Sequence, residues 1–186
     1  MEPAKLLEIL SVCEKLKCNT RHCYTSSGRQ ESVAEHCWRM AVMAMLVEDE
    51  YPGIDICKVM KMCLIHDLGE AFTGDIPVFL KVASDEDTEA KVIDEWIDSF
   101  PSSQREEWTA LFDEMNLLES TEAKLFKALD KMEAVIQHNE SDLSTWIPLE
   151  YDLQLTHGSE QVKFSDFTMR LKAEVDKVTR AKIERG

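Results

Sequence analysis

Apolar residues recur at intervals of three and four along most of the chain, which is the spacing of one face of an α-helix. The clearest series lies in 56–64 and consists of Ile56, Val59, Met60, Cys63 and Leu64. Comparable stripes predict helices over 3–17, 33–47, 86–99, 103–117, 121–137 and 165–183. No segment shows a convincing alternation of apolar and polar residues, which is the pattern of a half-buried strand. We therefore expect an all-α fold, a helical bundle with short connections.

The segment 33–47 is expected to form the central helix of this bundle. Ser32 and Glu35 stand at capping-box spacing at its start, and the residues that follow are apolar almost all round, as in a fully buried helix. Ser120 is a suitable N-cap for the helix at 121–137. Breaks between helices are expected at 26–28, 52–53, 69–77, 101 and 148–158, where Gly, Pro and Ser residues gather.

Length and composition indicate one folded domain. The chain has 186 residues, of which 44% are hydrophobic and 31% are charged, with only 6 Gly and 5 Pro. This composition excludes collagen-like, low-complexity and wholly disordered chains, and a second full domain would fit poorly in this length. No internal repeat or interdomain linker is visible. We expect a single domain over 1–186.

The charge balance limits the classes of partner. Lys and Arg number 21 against 36 Asp and Glu, which gives a formal net charge of -15. This charge repels nucleic-acid backbones and anionic lipid surfaces, so we expect neither a polymeric nucleic acid nor a membrane as partner. A phosphate-bearing ligand would have to be met by a local cation. The six cysteines form no CxxC pair and no signal-peptide pattern opens the chain, so we expect a cytoplasmic protein with reduced thiols.

His66 and Asp67 continue the apolar face of the helix at 56–64 and should point inward. A carboxylate there faces both desolvation and the negative end of the helix dipole, which predicts a cation beside it. The alternative is purely structural: Asp67 would end the helix, and His66 would be a hydrogen-bonded histidine of the core.

Two further residues strengthen the prediction of a cation site. His36 falls in the first turn of the helix at 33–47, where the positive end of the dipole favours the neutral imidazole that binds metals. Asp130 interrupts an otherwise mostly apolar line of the helix at 121–137. Two histidines and two carboxylates from three helices are a suitable set of ligands for one divalent transition metal ion.

Two more acids, Glu70 and Asp75, follow in a turn bracketed by Gly69 and Gly74. Beside a metal-activated water, such acids can take a proton from the nucleophile and give one to the leaving oxygen. The alternative is that they cap local backbone amides. The sequence leaves open which acid would have which role.

The pattern His36, His66-Asp67, Asp130 resembles the H…HD…D metal motif of the HD-domain phosphohydrolase superfamily. The runs ESVAEHCWRMAVMAMLV, IHDLGEAFTGDIP and ALDKMEA resemble more closely the branch of the 5′-deoxynucleotidases, over roughly residues 5–140. The resemblance implies an HD-domain helical bundle with its core at about 5–140 and a C-terminal helical extension at 160–184, commonly as a homodimer. It implies release of phosphate from (deoxy)ribonucleoside 5′-monophosphates by attack of a metal-bound water.

The same resemblance assigns roles to individual residues. The metal ligands would be His36, His66, Asp67 and Asp130, and the acids next to the metal would be Glu70 and Asp75. Arg21, fifteen residues before His36, matches the arginine that orients the substrate phosphate. Further substrate-contacting positions are Asp67, Asp75, Ile76, Pro77, Val78 and Lys81.

His22 departs from the family pattern, because the deoxynucleotidases carry a tryptophan directly after that arginine, where it helps to define the sugar pocket. His22 would be either a new substrate contact or an exposed loop histidine. Selectivity against ribose is therefore not predicted.

Several alternatives remain open at this point. The same chemistry would serve a nucleoside triphosphohydrolase or a hydrolase of another small phosphate ester, and a non-catalytic nucleotide sensor would use the metal only to tie helices together. The chain has no His between 66 and 138, and His138 lies about 12 Å along the helix from Asp130, so we expect one metal rather than two. The ligand set admits Mn, Co, Fe or Zn.

Overall fold

The computed structural model describes residues 1–186, which form ten α-helices, three short 3-10 helices and one two-stranded hairpin. The α-helices are α1 (Pro3–Cys13), α2 (Lys15–Cys18), α3 (Val33–Leu46), α4 (Ile56–Ile65), α5 (Glu70–Thr73), α6 (Ala83–Asp98), α7 (Ser102–Leu117), α8 (Thr121–Glu140), α9 (Glu150–Thr156) and α10 (Asp166–Arg185). The strands are β1 (Thr20–Tyr24) and β2 (Gln30–Ser32), and the 3-10 helices are Glu48–Glu50, Leu143–Thr145 and Gln161–Phe164. None of the helices has the length and apolar character that crossing a membrane requires.

The all-α fold class is confirmed, and six of the seven predicted helices correspond to single helices with ends within three residues of those expected. The first predicted helix, 3–17, is divided at Glu14 into α1 and α2. The expected caps are present: Ser32 and Glu35 form a capping box at the start of α3, and Ser120 accepts from the amide of Ala123.

The prediction that the chain forms no strands was wrong, because β1 and β2 pair as an antiparallel hairpin. The amide of Thr25 donates to the carbonyl of Arg29 at 2.7 Å across the turn, where Gly28 adopts a φ of +83°. Only five and three residues form the two strands, which is too short for a two-residue alternation to stand out. The hairpin places the residues of β1 against α8.

A second difference is α9, which occupies most of 148–158, where a break was expected. Its N-terminus is stabilised by Glu150, whose carboxylate accepts from the amide of Ile147 at 2.8 Å. Near its other end, Lys172 donates to the carbonyl of Leu155 at 3.0 Å. Pro148 and Gly158 flank this short helix. Because both residues are typical of loops, the sequence indicated a break there.

The core lies where α3, α4 and α8 pack on one another, with α7 and α10 against α8. Its fully buried side chains include Met40, Val59, Met62, Cys63, Leu125 and Leu129. The prediction that α3 lies at the centre of the bundle is confirmed. The prediction that α3 is buried on all sides is wrong, since Trp38, Met45 and Leu46 are exposed. These three form an outer face of α3.

Candidate active site

The imidazole of His36 is fully buried in the first turns of α3. Its Nδ1 atom is hydrogen-bonded to the carboxylate of Glu133 on α8. Its Nε2 atom has no hydrogen-bond partner and lies 3.5 Å from Oδ1 of Asp130 and 3.8 Å from Oδ2 of Asp67. Because the carboxylate keeps a proton on Nδ1, Nε2 is the ring atom that faces the other predicted ligands and can bind a metal once it is deprotonated.

His66 has the same arrangement at the end of α4. Its Nδ1 atom donates to the carbonyl of Cys63 at 3.0 Å, and its Nε2 atom is buried without a hydrogen-bond partner. That Nε2 atom lies 3.1 Å from Oδ1 of Asp67 and 4.0 Å from Oδ1 of Asp130. The structure therefore brings Nε2 of both histidines within 4.0 Å of a carboxylate oxygen of Asp67 and of Asp130.

This donor set fits a cation. Two carboxylates this close in a buried site repel one another unless positive charge, from a protonated imidazole or a metal ion, lies between them. Two nitrogen and two oxygen donors are suited to a divalent transition metal ion. Burial raises the pKa of Asp130, but Lys131 and Lys127, each 3.0 Å from its Oδ2, help to hold that pKa well below the usual value. Asp130 is thus available as an anionic ligand.

The sequence reasoning missed the residues that orient His36. Glu133 is fully buried and also accepts from Nε of Arg39 at 2.6 Å, and a second nitrogen of Arg39 donates to Oε1 of Gln137 at 2.6 Å. Glu133 comes three residues after Asp130, and Arg39 three residues after His36. That helical spacing was the available signal, because it places each pair on one face.

Arg21, the predicted phosphate contact, lies on β1 at the edge of the same site. Its guanidinium is 3.5 Å from Oδ2 of Asp67 and 3.4 Å from Oε2 of Glu31, and its Nε atom is buried without a hydrogen-bond partner. Burial and the charge of Glu133 raise the pKa of Glu31. Neither ion pair has the short, two-pronged geometry of a saturated arginine, so the guanidinium retains capacity for an anion.

The predicted proton carriers differ in their surroundings. Glu70 opens α5, is buried, and has one carboxylate oxygen without a partner. Burial, Asp67 and Asp75 raise the pKa of Glu70 to about 10. Asp75 is half-buried, and burial raises its pKa against the opposing charge of Arg21. Both acids line the same cleft, and neither carboxylate accepts a hydrogen bond from a backbone amide. The alternative that they cap local backbone amides is therefore not supported.

Gly74 makes this placement possible. It ends α5 with φ +80° and ψ 160°, a conformation that only glycine adopts without strain, and so turns the chain towards the cleft at Asp75. Gly69 has a different role: a Cβ atom there would lie 2.4 Å from Cγ of Glu89, so its small size lets α6 pack closely.

One cleft, with a cavity volume of about 230 Å³, is lined by Arg21, Asp67, Glu70, Asp75 and Asp130. The predicted substrate-contacting residues Ile76, Pro77, Val78 and Lys81 line it, as do Lys127 and Lys131 from α8. Lys81 is paired with Glu89 at 2.6 Å. Basic side chains therefore surround the acidic centre, although the net charge of the chain is negative.

The cleft continues past the predicted metal ligands to a second polar group, of which the sequence reasoning found only His22. Nε2 of His138 lies 2.9 Å from Oε1 of Glu150, and Nε2 of His22 lies 3.5 Å from the same oxygen. His22 also packs edge-on against Phe79, with ring centroids 5.3 Å apart. His138 is thus engaged by α9 and is separate from the metal ligands. His157 lines the cleft as well, and burial and Lys131 lower its pKa to about 4.

The HD-domain family profile matches residues 13–172, which is most of the chain. The chain belongs to the HD-domain family. A human relative named 5′-deoxynucleotidase HDDC2 is 33% identical over 139 residues, covering 73% of this chain and 67% of the relative. A Schizosaccharomyces pombe relative named 5′-deoxynucleotidase hdd1 is 33% identical over 167 residues, covering 78% of this chain and 83% of the relative.

A solved structure supports the fold assignment. The crystal structure of a protein from Magnetospirillum magnetotacticum MS-1, described as a predicted metal-dependent phosphohydrolase, superposes with a TM-score of 0.81 at 27% identity. The alignment covers 98% of this chain and 93% of that protein. The expected HD-domain helical bundle is therefore confirmed over nearly the whole chain.

Proposed function

We propose that this HD-domain protein is a metal-dependent phosphohydrolase that releases orthophosphate from (deoxy)ribonucleoside 5′-monophosphates. One observation carries the proposal: the partnerless Nε2 atoms of His36 and His66 face two carboxylates beside the partly buried Arg21. The relatives named 5′-deoxynucleotidase support the class of substrate.

In this proposal His36, His66, Asp67 and Asp130 hold a single divalent ion, for which Mn, Co, Fe and Zn are all suitable. When bound, such an ion polarises a phosphoryl oxygen and lowers the pKa of a water molecule. The protein contributes the preorganised ligands, since Glu133 and the Cys63 carbonyl fix the orientation of both imidazoles.

The phosphate of the substrate binds between the ligand set and the basic side chains of the cleft. Arg21 offers a guanidinium fork that matches two phosphoryl oxygens. Lys127 and Lys131, both within 3.0 Å of Asp130 Oδ2, offset the charge that builds on phosphate during the reaction. Lys81 supplies a further cation at the mouth of the cleft.

Hydrolysis of the ester forms a bond from the water oxygen to phosphorus and breaks the bond from phosphorus to O5′ of the sugar. One proton must leave the water and one must reach the departing O5′. We assign this transfer to Glu70 and Asp75, because both line the cleft and the pKa of each carboxyl is raised. Ile76, Pro77 and Val78 border the sugar, and His22 contacts the substrate where the nucleotidases have a tryptophan.

We further propose that residues 1–186 act as one HD domain and that the active protein is a homodimer. The exposed apolar side chains Trp38, Met45 and Leu46 on α3 favour self-association. All six cysteines are unpaired, which favours a cytoplasmic location. Sedimentation equilibrium tests the homodimer: a monomer at micromolar concentration would contradict it.

The test of function is orthophosphate release from matched deoxyribo- and ribonucleoside 5′-monophosphates, with protein stripped of metal and reloaded with Mn, Co or Zn. We expect metal-dependent release from the monophosphates. Inorganic triphosphate from nucleoside triphosphates would instead identify a triphosphohydrolase. Tight binding of metal without turnover of any phosphate ester would identify a sensor.

The same assay tests two residue roles. His22→Trp should raise selectivity for deoxyribose over ribose if His22 lies beside the sugar. Glu70→Gln and Asp75→Asn should each lower kcat by about 100-fold or more with unchanged metal content. Full activity in both acid variants would remove them from the proposed proton transfer.

A further inference from the structure

The helix α9 forms one wall of the cleft and runs antiparallel to α8. At one end, Glu150 contacts His138 at 2.9 Å. At the other end, Gly158 approaches Lys131 so closely that an added Cβ atom would lie 2.6 Å from Cβ of Lys131. Gln154 is midway along this wall. It therefore lies beside the turn of α8 that follows Asp130, about 6 Å from Asp130 along the axis of α8.

The side chain of Gln154 is only 4% exposed and lines the cleft. Its amide has no hydrogen-bond partner within the protein, whereas the neighbouring polar side chains Glu150 and Lys172 are both hydrogen-bonded. Because the amide makes no hydrogen bond to the protein and the residue lines the cleft, its donor and acceptor remain available to a ligand there.

Gln154 is also held in place. The contacts of Glu150 with His138 and of Lys172 with the Leu155 carbonyl fix both ends of α9. Apolar side chains lie close by in the same cleft: Leu153 on α9 and Phe79 in the loop after α5. A planar ring with a hydrogen-bonding edge suits this site. Its faces can pack on the apolar side chains, and its edge can pair with the adjacent donor and acceptor of the Gln154 amide.

We propose that Gln154 is a specificity-determining residue that hydrogen-bonds the edge of the nucleobase. This inference rests on the proposed nucleotidase function, which places the phosphate at the end of the cleft where Asp130 and Arg21 lie. The sugar and then the base of the substrate extend from there along α9. His157, which lines the cleft three residues later, lies towards the Lys131 end of the same wall, on the side of the phosphate.

The test compares Gln154→Met with a matched control, Gln161→Met, which makes the same substitution outside the cleft. Two properties are measured for each protein. The first is kcat/KM for the four deoxynucleoside 5′-monophosphates and for 2-deoxyribose 5-phosphate, which has no base. The second is calorimetric affinity for the four deoxynucleosides, which have no phosphate.

We expect the wild type to favour one base by about 10-fold or more, because a site built for hydrogen bonding discriminates strongly against a wrong edge. Gln154→Met should lose about 10- to 100-fold on that nucleotide and less than about 3-fold on the sugar phosphate. Its unfolding temperature should stay close to that of the wild type, since the amide makes no hydrogen bond to the protein. Gln161→Met should behave as the wild type.

Equal loss on all five substrates would overturn the inference, since the contact would then be to the sugar or phosphate. An unchanged base preference in folded Gln154→Met would also overturn it. If the wild type releases no phosphate at all, the nucleotidase proposal fails, and deoxynucleoside affinity decides separately on Gln154. Base-selective binding lost in Gln154→Met supports the inference, and its absence in the wild type overturns it.

Discussion

Nδ1 of His36 donates to the carboxylate of Glu133, and neither side chain has any exposed surface. Glu133 is in turn held by Arg39 at 2.6 Å, so a chain of three residues sets the direction in which Nε2 of His36 points. The first predicted metal ligand is thus oriented by α8, the helix that also carries Asp130.

Substitution Glu133→Gln should weaken metal binding by about 10- to 100-fold, because an amide cannot accept from both His36 and Arg39 as a carboxylate does. The affinity is measured by competition with a chelator. The matched control is Glu140→Gln, which removes the other carboxylate bound to Arg39 at an exposed position without touching His36. Wild-type affinity in Glu133→Gln would contradict the orienting role.

Metal binding should release a proton and strengthen with pH. Burial and Arg21 favour the neutral ring of His36, but Glu133 and Asp130 outweigh them and raise its pKa to about 9. At pH 7.5 an incoming metal ion therefore displaces this proton. Calorimetry in buffers of different ionisation enthalpy should give release of about one proton per metal.

The same pKa governs the stability of metal-stripped protein. Because the folded-state pKa of His36 lies above its unfolded value, the protonated ring stabilises the fold at pH values below about 6.5. That contribution is lost as the pH rises towards 9. Denaturant titration of the stripped protein should show this decline. No proton release and no such decline would show that His36 is already neutral.

Arg21→Ala should lower kcat/KM by about 100- to 1,000-fold, because the variant removes the fork that binds the phosphoryl oxygens. Arg21→Lys retains the positive charge but loses the guanidinium fork. Its kcat/KM should lie between that of the wild type and that of Arg21→Ala. The control is Arg29→Ala, whose guanidinium pairs with Glu35 and does not line the cleft. An equal effect of the Arg21 and Arg29 variants would show only a general charge effect.

The sequence was sufficient to predict the residues that interrupt apolar patterns with a recognisable spacing. His36 and Asp130 lie on inward faces of α3 and α8, and His66 and Asp67 directly follow α4. Helical spacing and the resemblance to the H…HD…D motif together predicted this set. Glu133 and Arg39 remained hidden, because a charged residue on a long helix is usually solvent-exposed. Their burial depends on the packing of α3 against α8.

The part of the cleft formed by α9 could not be predicted from the sequence, for a different reason. Gln154 lies on a short helix between Pro148 and Gly158, and His157 directly follows that helix, in a region where local signals indicate a loop. The contact between Glu150 and His138 that holds α9 on α8 joins residues 12 positions apart in different elements. Only the tertiary structure shows that these side chains reach the cavity.

The central claim is that His36, His66, Asp67 and Asp130 hold one metal ion that phosphate release requires. The most direct measurement is orthophosphate release from deoxynucleoside 5′-monophosphates while metal is titrated into stripped protein, for the wild type and for Asp130→Asn. We predict that wild-type activity rises to a plateau at one equivalent, and that Asp130→Asn binds metal weakly and stays inactive. Full activity in stripped wild-type protein, or in Asp130→Asn without added metal, would contradict the claim.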